Sequence, residues 1–330
     1  MLDPTFPVPD PTSSFTLNHS NMAFSIANIP DQTGRVAIVT GGTAGLGYES
    51  VIALARKGAH VIFTARNASR GQEALDKVKA ELAPAPFKVE FAVADNTDLK
   101  SVEEFAESFL ARNLPLHILL LNAGVAMKPY GVIEGVESTL FNNQVAHQYL
   151  AIRFLPLLER SGPSRVVVVS SDAHAFAKKI DLELPTEAEY SSFASYSESK
   201  LANNLLAHGL LQMADSSKVY INIVHPGIVV TDIFKTGVHF PHFPWLVRPV
   251  VEWLFGAFCY LAGSTPLKGA LTQLYVATSP DIEKNEWQGQ YFTPIAKLTK
   301  ATDLSRDPQQ VDRVWKWTND VIACVLDTQQ

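Results

Sequence analysis

"RVAIVTGGTAGLG", Arg35 to Gly47, joins a short β-branched run to a glycine-rich turn, and a helical pattern begins near residue 45. A run that is apolar at nearly every position suits a strand buried on both faces. Gly41, Gly45 and Gly47, with Thr40 ahead of them, stand in the spacing TGxxxGxG. Glycine there lets the chain turn tightly and lets its backbone approach a bound anion at the start of the next helix. Such a turn alone is weak evidence. Between a buried first strand and a helix it points to a dinucleotide, whose pyrophosphate would lie on the loop Thr40, Gly41, Thr43, Ala44, Gly45, Leu46 and Gly47.

Six further strand-like runs follow: "HVIFT" (60 to 64), "FKVEFAVAD" (87 to 95), "HILLLN" (117 to 122), "RVVVVS" (165 to 170), "VYINIVHP" (219 to 226) and "GQYFT" (289 to 293). Helical patterns lie near 45 to 57, 69 to 82, 98 to 112, 134 to 160, 197 to 213, 267 to 278 and 308 to 325. Strand and helix alternating over seven strands predict an α/β fold, a doubly wound parallel sheet with helices on both faces. No internal repeat or low-complexity linker interrupts residues 34 to 330, which read as a single Rossmann-fold domain. An irregular N-terminal arm (1 to 33) precedes it, and a C-terminal substrate lid is expected at about 234 to 266.

The bulk composition narrows the function. Of 330 residues, 47% are hydrophobic and 18% charged, and the net charge of −6 carries no basic excess for nucleic acid. Cys259 and Cys324 have no metal-ligand spacing, which suits a reducing, cytoplasmic setting. The first 30 residues hold five prolines and no Lys or Arg, unlike a signal or transit peptide. Trp245 to Ala262 is the most membrane-like segment, yet Arg248, Pro249 and Glu252 within it argue against a span. Its reading is a helix over a substrate cleft, with peripheral membrane contact the less favoured alternative. His239 and His242 have no carboxylate or thiol nearby, so no metal is expected.

The strand ends carry the chemistry. After "HVIFTA" stands Arg66, where an NAD enzyme would usually carry Asp or Glu for the ribose hydroxyl. A guanidinium suits a 2′-phosphate, so the expected cofactor is NADP(H); the plainer alternative is an arginine that meets only solvent. Asp95 and Asn96 end the third strand, where an adenine amino group could be read.

Four further pieces fall at successive strand ends: Asn122-Ala123-Gly124, Ser170-Ser171, Tyr196 with Lys200, and His225-Pro226-Gly227. With TGxxxGxG they resemble the short-chain dehydrogenase/reductase superfamily over roughly residues 33 to 325. "LLLNAGV", "VVVVSSDAH", "YSESKLANNLL", "VHPGIVVTDI" and "WLFGAF" are most similar to its retinol-dehydrogenase and protochlorophyllide-reductase-like branch, with its many fungal members. The 25-residue interval from Ser171 to Tyr196 is a further cue, and its extra residues are expected to wall the pocket.

The resemblance implies that Tyr196 is the general acid/base. Lys200 lowers its pKa and holds the nicotinamide ribose, and Ser171 bonds the substrate oxygen. Asn143, with Asn142 as rival, would hold a water leading from Lys200 to solvent. Pro226 and Gly227 would pass beside the nicotinamide, with Val229 and Thr231 completing its site. His174 and His225 are read as supporting polar residues, and Tyr190, with Ala194 four positions on, as a bystander. The expected reaction is hydride transfer between NADP(H) and the carbonyl or alcohol of an apolar or aromatic small molecule. Alternatives are a biosynthetic reductase acting on C=C or C=N or assisting a cyclisation, and a non-catalytic NADP(H) sensor. The resemblance suggests dimers or tetramers, but the long C-terminal segment could block one interface, leaving a monomer or homodimer.

Overall fold

A computed structural model describes residues 24–229 and 263–327. Residues 1–23 of the arm, most of the expected lid, Thr231, His239, His242, Cys259 and segment 245–262 lie outside the described residues. The strands are β1 Val36–Val39, β2 His60–Ala65, β3 Lys88–Val93, β4 Ile118–Leu121, β5 Val132–Ile133, β6 Val136–Glu137, β7 Ser164–Val169, β8 Val219–Val224, β9 Tyr291–Thr293 and β10 Lys297–Thr299. The α-helices are α1 Gly45–Arg56, α2 Ala68–Leu82, α3 Leu99–Ala111, α4 Ser138–Leu140, α5 Ala146–Arg160, α6 Ser192–Leu211, α7 Pro266–Thr278, α8 Asp281–Lys284 and α9 Pro308–Asp327.

Eight strands form one sheet in the order β10-β9-β8-β7-β4-β1-β2-β3. The seven expected strands are parallel throughout, and β10 adds an antiparallel eighth at the edge. Its three exposed residues, Lys297, Leu298 and Thr299, have no apolar run to announce them. The strand order reverses between β2 and β4, on either side of β1, and such a switch point opens a crevice at the carboxyl ends.

Alternation along each strand divides the core. Val36, Ile38, Leu119, Leu121, Val166 and Val168 pack with α3, α5, α6 and α9. Ala37, Val39, Ile118, Leu120, Val167 and Val169 face α1, α2 and α7. Both sets are apolar because both faces are covered by helices.

The expected helix over 134 to 160 is broken into three pieces. Glu134 (φ 49°) and Gly135 (φ 76°) turn a small antiparallel hairpin, β5–β6, so the helix starts only at Ser138. Phe141–Val145 is then a π-helical turn, and α5 follows. A π turn displaces the side chains after it, a feature common at functional sites. Helix α9 braces this region. Thr318 Oγ1 and Gln144 exchange hydrogen bonds (3.0 and 3.1 Å), and Gln148 Nε2 donates to Asn319 Oδ1 (2.8 Å).

Helix α9 also lies close against α6, since a Cβ placed on Gly209 would stand 2.3 Å from Trp315 Cε3. Gly209→Ala is therefore expected to push α9 off α6 and cost about 1–3 kcal/mol, as overpacking does, in urea unfolding. Unchanged stability would show that the two helices have room to spare.

Candidate active site

The site begins at a knot on the switch point. Thr40 Oγ1 accepts the amides of Asn122 (2.8 Å) and Ala123 (2.9 Å), while Asn122 Nδ2 donates to Thr40 O (2.9 Å). Thr40 is wholly buried, and its hydroxyl also lies 3.1 Å from His147 Nε2. Burial, reinforced by nearby Lys200, pushes His147 down to about 3, so the imidazole is neutral and able to accept. Thr40 thus fixes the loop and does not line the cleft. Asn122 Oδ1 reaches a third element by accepting from Gln273 Nε2 on α7 (3.3 Å).

A cleft of about 420 Å³ runs along this carboxyl edge. Of the residues expected to hold a cofactor, Gly41, Thr43, Ala44, Gly45, Leu46, Gly47, Arg66, Asp95, Asn96, Asn122, Ala123 and Gly124 line it. Gly41 (φ 66°) and Gly45 (φ 57°) occupy the left-handed region. A Cβ on Gly47 would stand 2.3 Å from Gly41 O, so only glycine lets the loop close on itself.

Helix α1 is left open to a ligand at its start. Helices α2, α3, α6 and α7 are capped by the side chains of Asn67, Asp98, Ser191 and Thr265, whereas α1 has Ala44, which has nothing to offer. Its first-turn amides face the cleft without a side-chain acceptor, as a pyrophosphate site requires. The residues present fit a dinucleotide.

At the far end of the cleft Arg66 is exposed and is joined by Arg70, which the sequence reading passed over. Arg66 precedes the N-cap Asn67 and Arg70 lies in the first turn of α2, so the fold of the helix start brings both to the cleft. Asp95 Oδ1 accepts Thr97 N (3.0 Å), and Asn96 Nδ2 donates to Asn142 O (3.0 Å). Asn142 lines the cleft, but Asn143 lies behind it.

Asn143 is fully buried. Its Oδ1 accepts Val125 N (2.8 Å), and its Nδ2 donates to Val125 O and Ser199 Oγ (both 2.9 Å). Its side chain is therefore a clamp between the loop after β4 and α6, with its amide already committed to protein partners.

Ser171, Tyr196 and Lys200 come together beside this clamp. A Cβ on Gly124 would stand 3.3 Å from Asn143 Oδ1 and 3.5 Å from Lys200 Nζ. Lys200 Nζ donates to Val169 O (3.2 Å) and lies 5.7 Å from the Tyr196 ring centroid. Burial pushes Lys200 down to about 8. Burial also raises the Tyr196 phenol above its usual 10, opposed by its hydrogen bond with the Ser171 hydroxyl.

Pro226 and Gly227 follow β8 as expected, and Gly227 adopts φ 85° with Pro294 Cγ 3.0 Å from where a Cβ would be. Val229 is buried against Leu46 and Gly269, so it packs α7 on α1 instead of lining the cleft. Two residues that the sequence did not flag position α6. Glu137 accepts from Thr139 N (2.9 Å) and Leu140 N (3.0 Å), and Ser195 Oγ donates to it one residue before Tyr196. Tyr190 is no bystander: buried, it donates to Lys128 O (2.8 Å) and ties down the insertion ahead of Tyr196.

This fold and constellation define a class. The chain belongs to the short-chain dehydrogenase family, whose model matches residues 35–239, and within it to the retinol-dehydrogenase-like branch. It is an oxidoreductase of that family, acting with a nicotinamide cofactor on a small molecule. It is 35% identical to polyprenol dehydrogenase of Homo sapiens over 293 residues, covering 87% of this chain and 84% of that protein. Retinol dehydrogenase 14 of Mus musculus is 36% identical over 288 residues, 82% of each chain. An uncharacterised Mycobacterium paratuberculosis protein of known structure shares the fold, with a TM-score of 0.68 and 24% identity, over 91% of this chain and 98% of its own. The RhlG/NADP active-site complex of Pseudomonas aeruginosa also shares it, with a TM-score of 0.59 and 21% identity, over 79% of this chain and 94% of its own.

Lys200 carries a pH signature. Its folded pKa of about 8 lies below the ordinary 10.5, so the unfolded chain binds the extra proton between those values and Lys200 adds stability as pH rises through that window. Lys200→Met should therefore be more stable than wild type at pH 7, by about 2–3 kcal/mol in urea unfolding, and lose that advantage towards pH 10. An advantage independent of pH would show that Lys200 is not titrating in this range.

Proposed function

We propose that the protein is an NADP(H)-dependent oxidoreductase that interconverts the carbonyl and alcohol of an apolar small molecule, with Tyr196 as the proton donor or acceptor. The observation that supports it best is the convergence of Ser171, Tyr196 and Lys200 beside Gly124, a residue lining the cleft that also presents Arg66 and Arg70. A bound NADP(H) would supply or accept the hydride. Arg66 and Arg70 line the cleft and would hold the 2′-phosphate by charge-assisted bonds. The open amides at the α1 start would take the pyrophosphate, and Asp95 the adenine.

Ser171 would hydrogen-bond the substrate oxygen, and Tyr196 would give its proton to the alkoxide that develops there. A phenol raised above 10 stays protonated at neutral pH, and an alkoxide is a far stronger base, so the site as built suits reduction. Lys200, charged at pH 7, would hold the nicotinamide ribose and favour phenolate once it turns towards the phenol. The relatives named for retinol and polyprenol support an alcohol or aldehyde on a long apolar body. Phe176 and Phe193, in edge contact at 5.4 Å, bring together the short helical turn that follows Ser171 and the first turn of α6, the helix that carries Tyr196.

The test is NADPH oxidation by the full chain against a panel of apolar aldehydes and ketones. Tyr196→Phe should lose at least about a hundredfold in kcat while still binding NADPH. Full activity in that variant would sink the mechanism. In the same assay Arg66→Ala should raise the KM for NADPH about tenfold or more and leave that for NADH nearly unchanged. Wild-type turnover with NADH alone would refute the reading of Arg66.

A further inference from the structure

The two histidines beside the site each bond the turn that carries Ser171. His174 Nδ1 lies 2.7 Å from Ser171 O, and its Nε2 accepts Thr302 N (3.4 Å). His225 Nδ1 accepts the amide of Asp172 (3.2 Å), and its Nε2 lies 3.2 Å from Asp172 Oδ2. The C=O and the N–H of the one peptide group between Ser171 and Asp172 are thereby each held by an imidazole. Asp172 Oδ1 in turn accepts from Tyr291 OH (3.0 Å), and His225 N donates to Phe292 O (2.8 Å). Asp172 thus joins the ends of β7, β8 and β9. Its side chain is 63% exposed, whereas that of His225 is 10% exposed.

We infer that His225 and Asp172 are a positioning pair that sets the Ser171 hydroxyl against Tyr196, through the Nδ1 acceptor of His225 and the backbone amide of Asp172. The inference rests on the proposed role of Ser171. Neither residue touches the reacting atoms; they act through the turn. The amide of Asp172 can only donate, so Nδ1 must be unprotonated and Nε2 must carry the hydrogen, which then points at the Asp172 carboxylate. The groups facing His225 are Asp172 and His174 from the turn, Lys200 from α6 and, through Asp172, Tyr291 from β9. Burial holds His225 below its ordinary value against the pull of Asp172, which keeps the acceptor available at neutral pH. Protonation at Nδ1 would set two donors against each other and release the turn.

Two variants separate the acceptor from the bulk of the ring. His225→Phe keeps the shape and loses Nδ1; His225→Asn places an amide oxygen near where Nδ1 stood. With wild type active on the aldehyde panel, His225→Phe should lose about 10- to 100-fold in kcat, while NADPH affinity by fluorescence changes less than about twofold. His225→Asn should recover most of that loss. Should the phenylalanine variant fail to fold, nitrogen–proton correlation spectra of the wild-type imidazoles decide, with His225→Asn used for assignment. The neutral Nε2–H form at pH 7 supports the pair, and the Nδ1–H or the charged form overturns it. A His225→Phe kcat within about twofold of wild type, or an asparagine variant no better than the phenylalanine one, also overturns it. Turnover abolished in Tyr196→Phe but kept in His225→Phe sinks the positioning role alone, whereas full activity in Tyr196→Phe sinks the proposed function.

Discussion

The Thr40 hydroxyl is the interaction on which the rest of the site depends. It accepts two amides from the chain leaving β4, where the sheet reverses its order and the two crossover directions part. A buried hydroxyl with this many partners leaves little freedom to the backbone on either side. Gly41 can then turn with positive φ, and Gly47 can come under Gly41 O, so that α1 points its open amides into the cleft. Asn122 carries the same order to α7 through Gln273. The phosphate loop is thus rigid before anything binds, and a preorganised site loses less entropy on binding.

The chemistry at the other end of the cleft is assembled by clamps that leave Tyr196 and Lys200 as neighbours without a direct bond. Asn143 ties α6 to the loop after β4, and Glu137 ties α6 to the start of the helix that carries Asn143. The π turn joins these two contacts, and α9 supports it from behind through Gln144 and Thr318. Buried polar networks of this kind specify one arrangement when every member is satisfied. Lys200 is desolvated here, and its ammonium donates to the backbone carbonyl of Val169.

Much of this was legible in the sequence because the signals were local. All seven parallel strands were marked by short β-branched runs, and the helices between them by their period, so the boundaries agree closely except at 134 to 160 and at the start of α6, which lies at Ser192 and not at 197. The glycine loop, Ser171, Tyr196 and Lys200 were legible because strand ends in a doubly wound sheet share one edge. The hairpin at Glu134 and Gly135 was missed because two left-handed residues in a polar run look like a helix start. The side-chain contacts of Thr40, Asn143 and Val229 were illegible for a different reason. Each stands in the expected motif, but its side chain is committed to the protein itself.

The sequence by itself determined the α/β winding, the phosphate loop and the order in which the active residues arrive along one edge. Those follow from hydrophobic period, glycine's conformational freedom and the geometry of parallel crossovers. Only the tertiary structure decided which of these residues face the cleft and which hold it open. It turned Tyr190 and Glu137 into struts, added Arg70 to Arg66, and gave His174 and His225 the two ends of the Ser171–Asp172 peptide group. Pairs such as Glu137 with Ser195, 58 positions apart, leave no trace in local pattern. A hydrogen bond depends on distance and direction in space, and sequence spacing encodes these only within a single helix or strand.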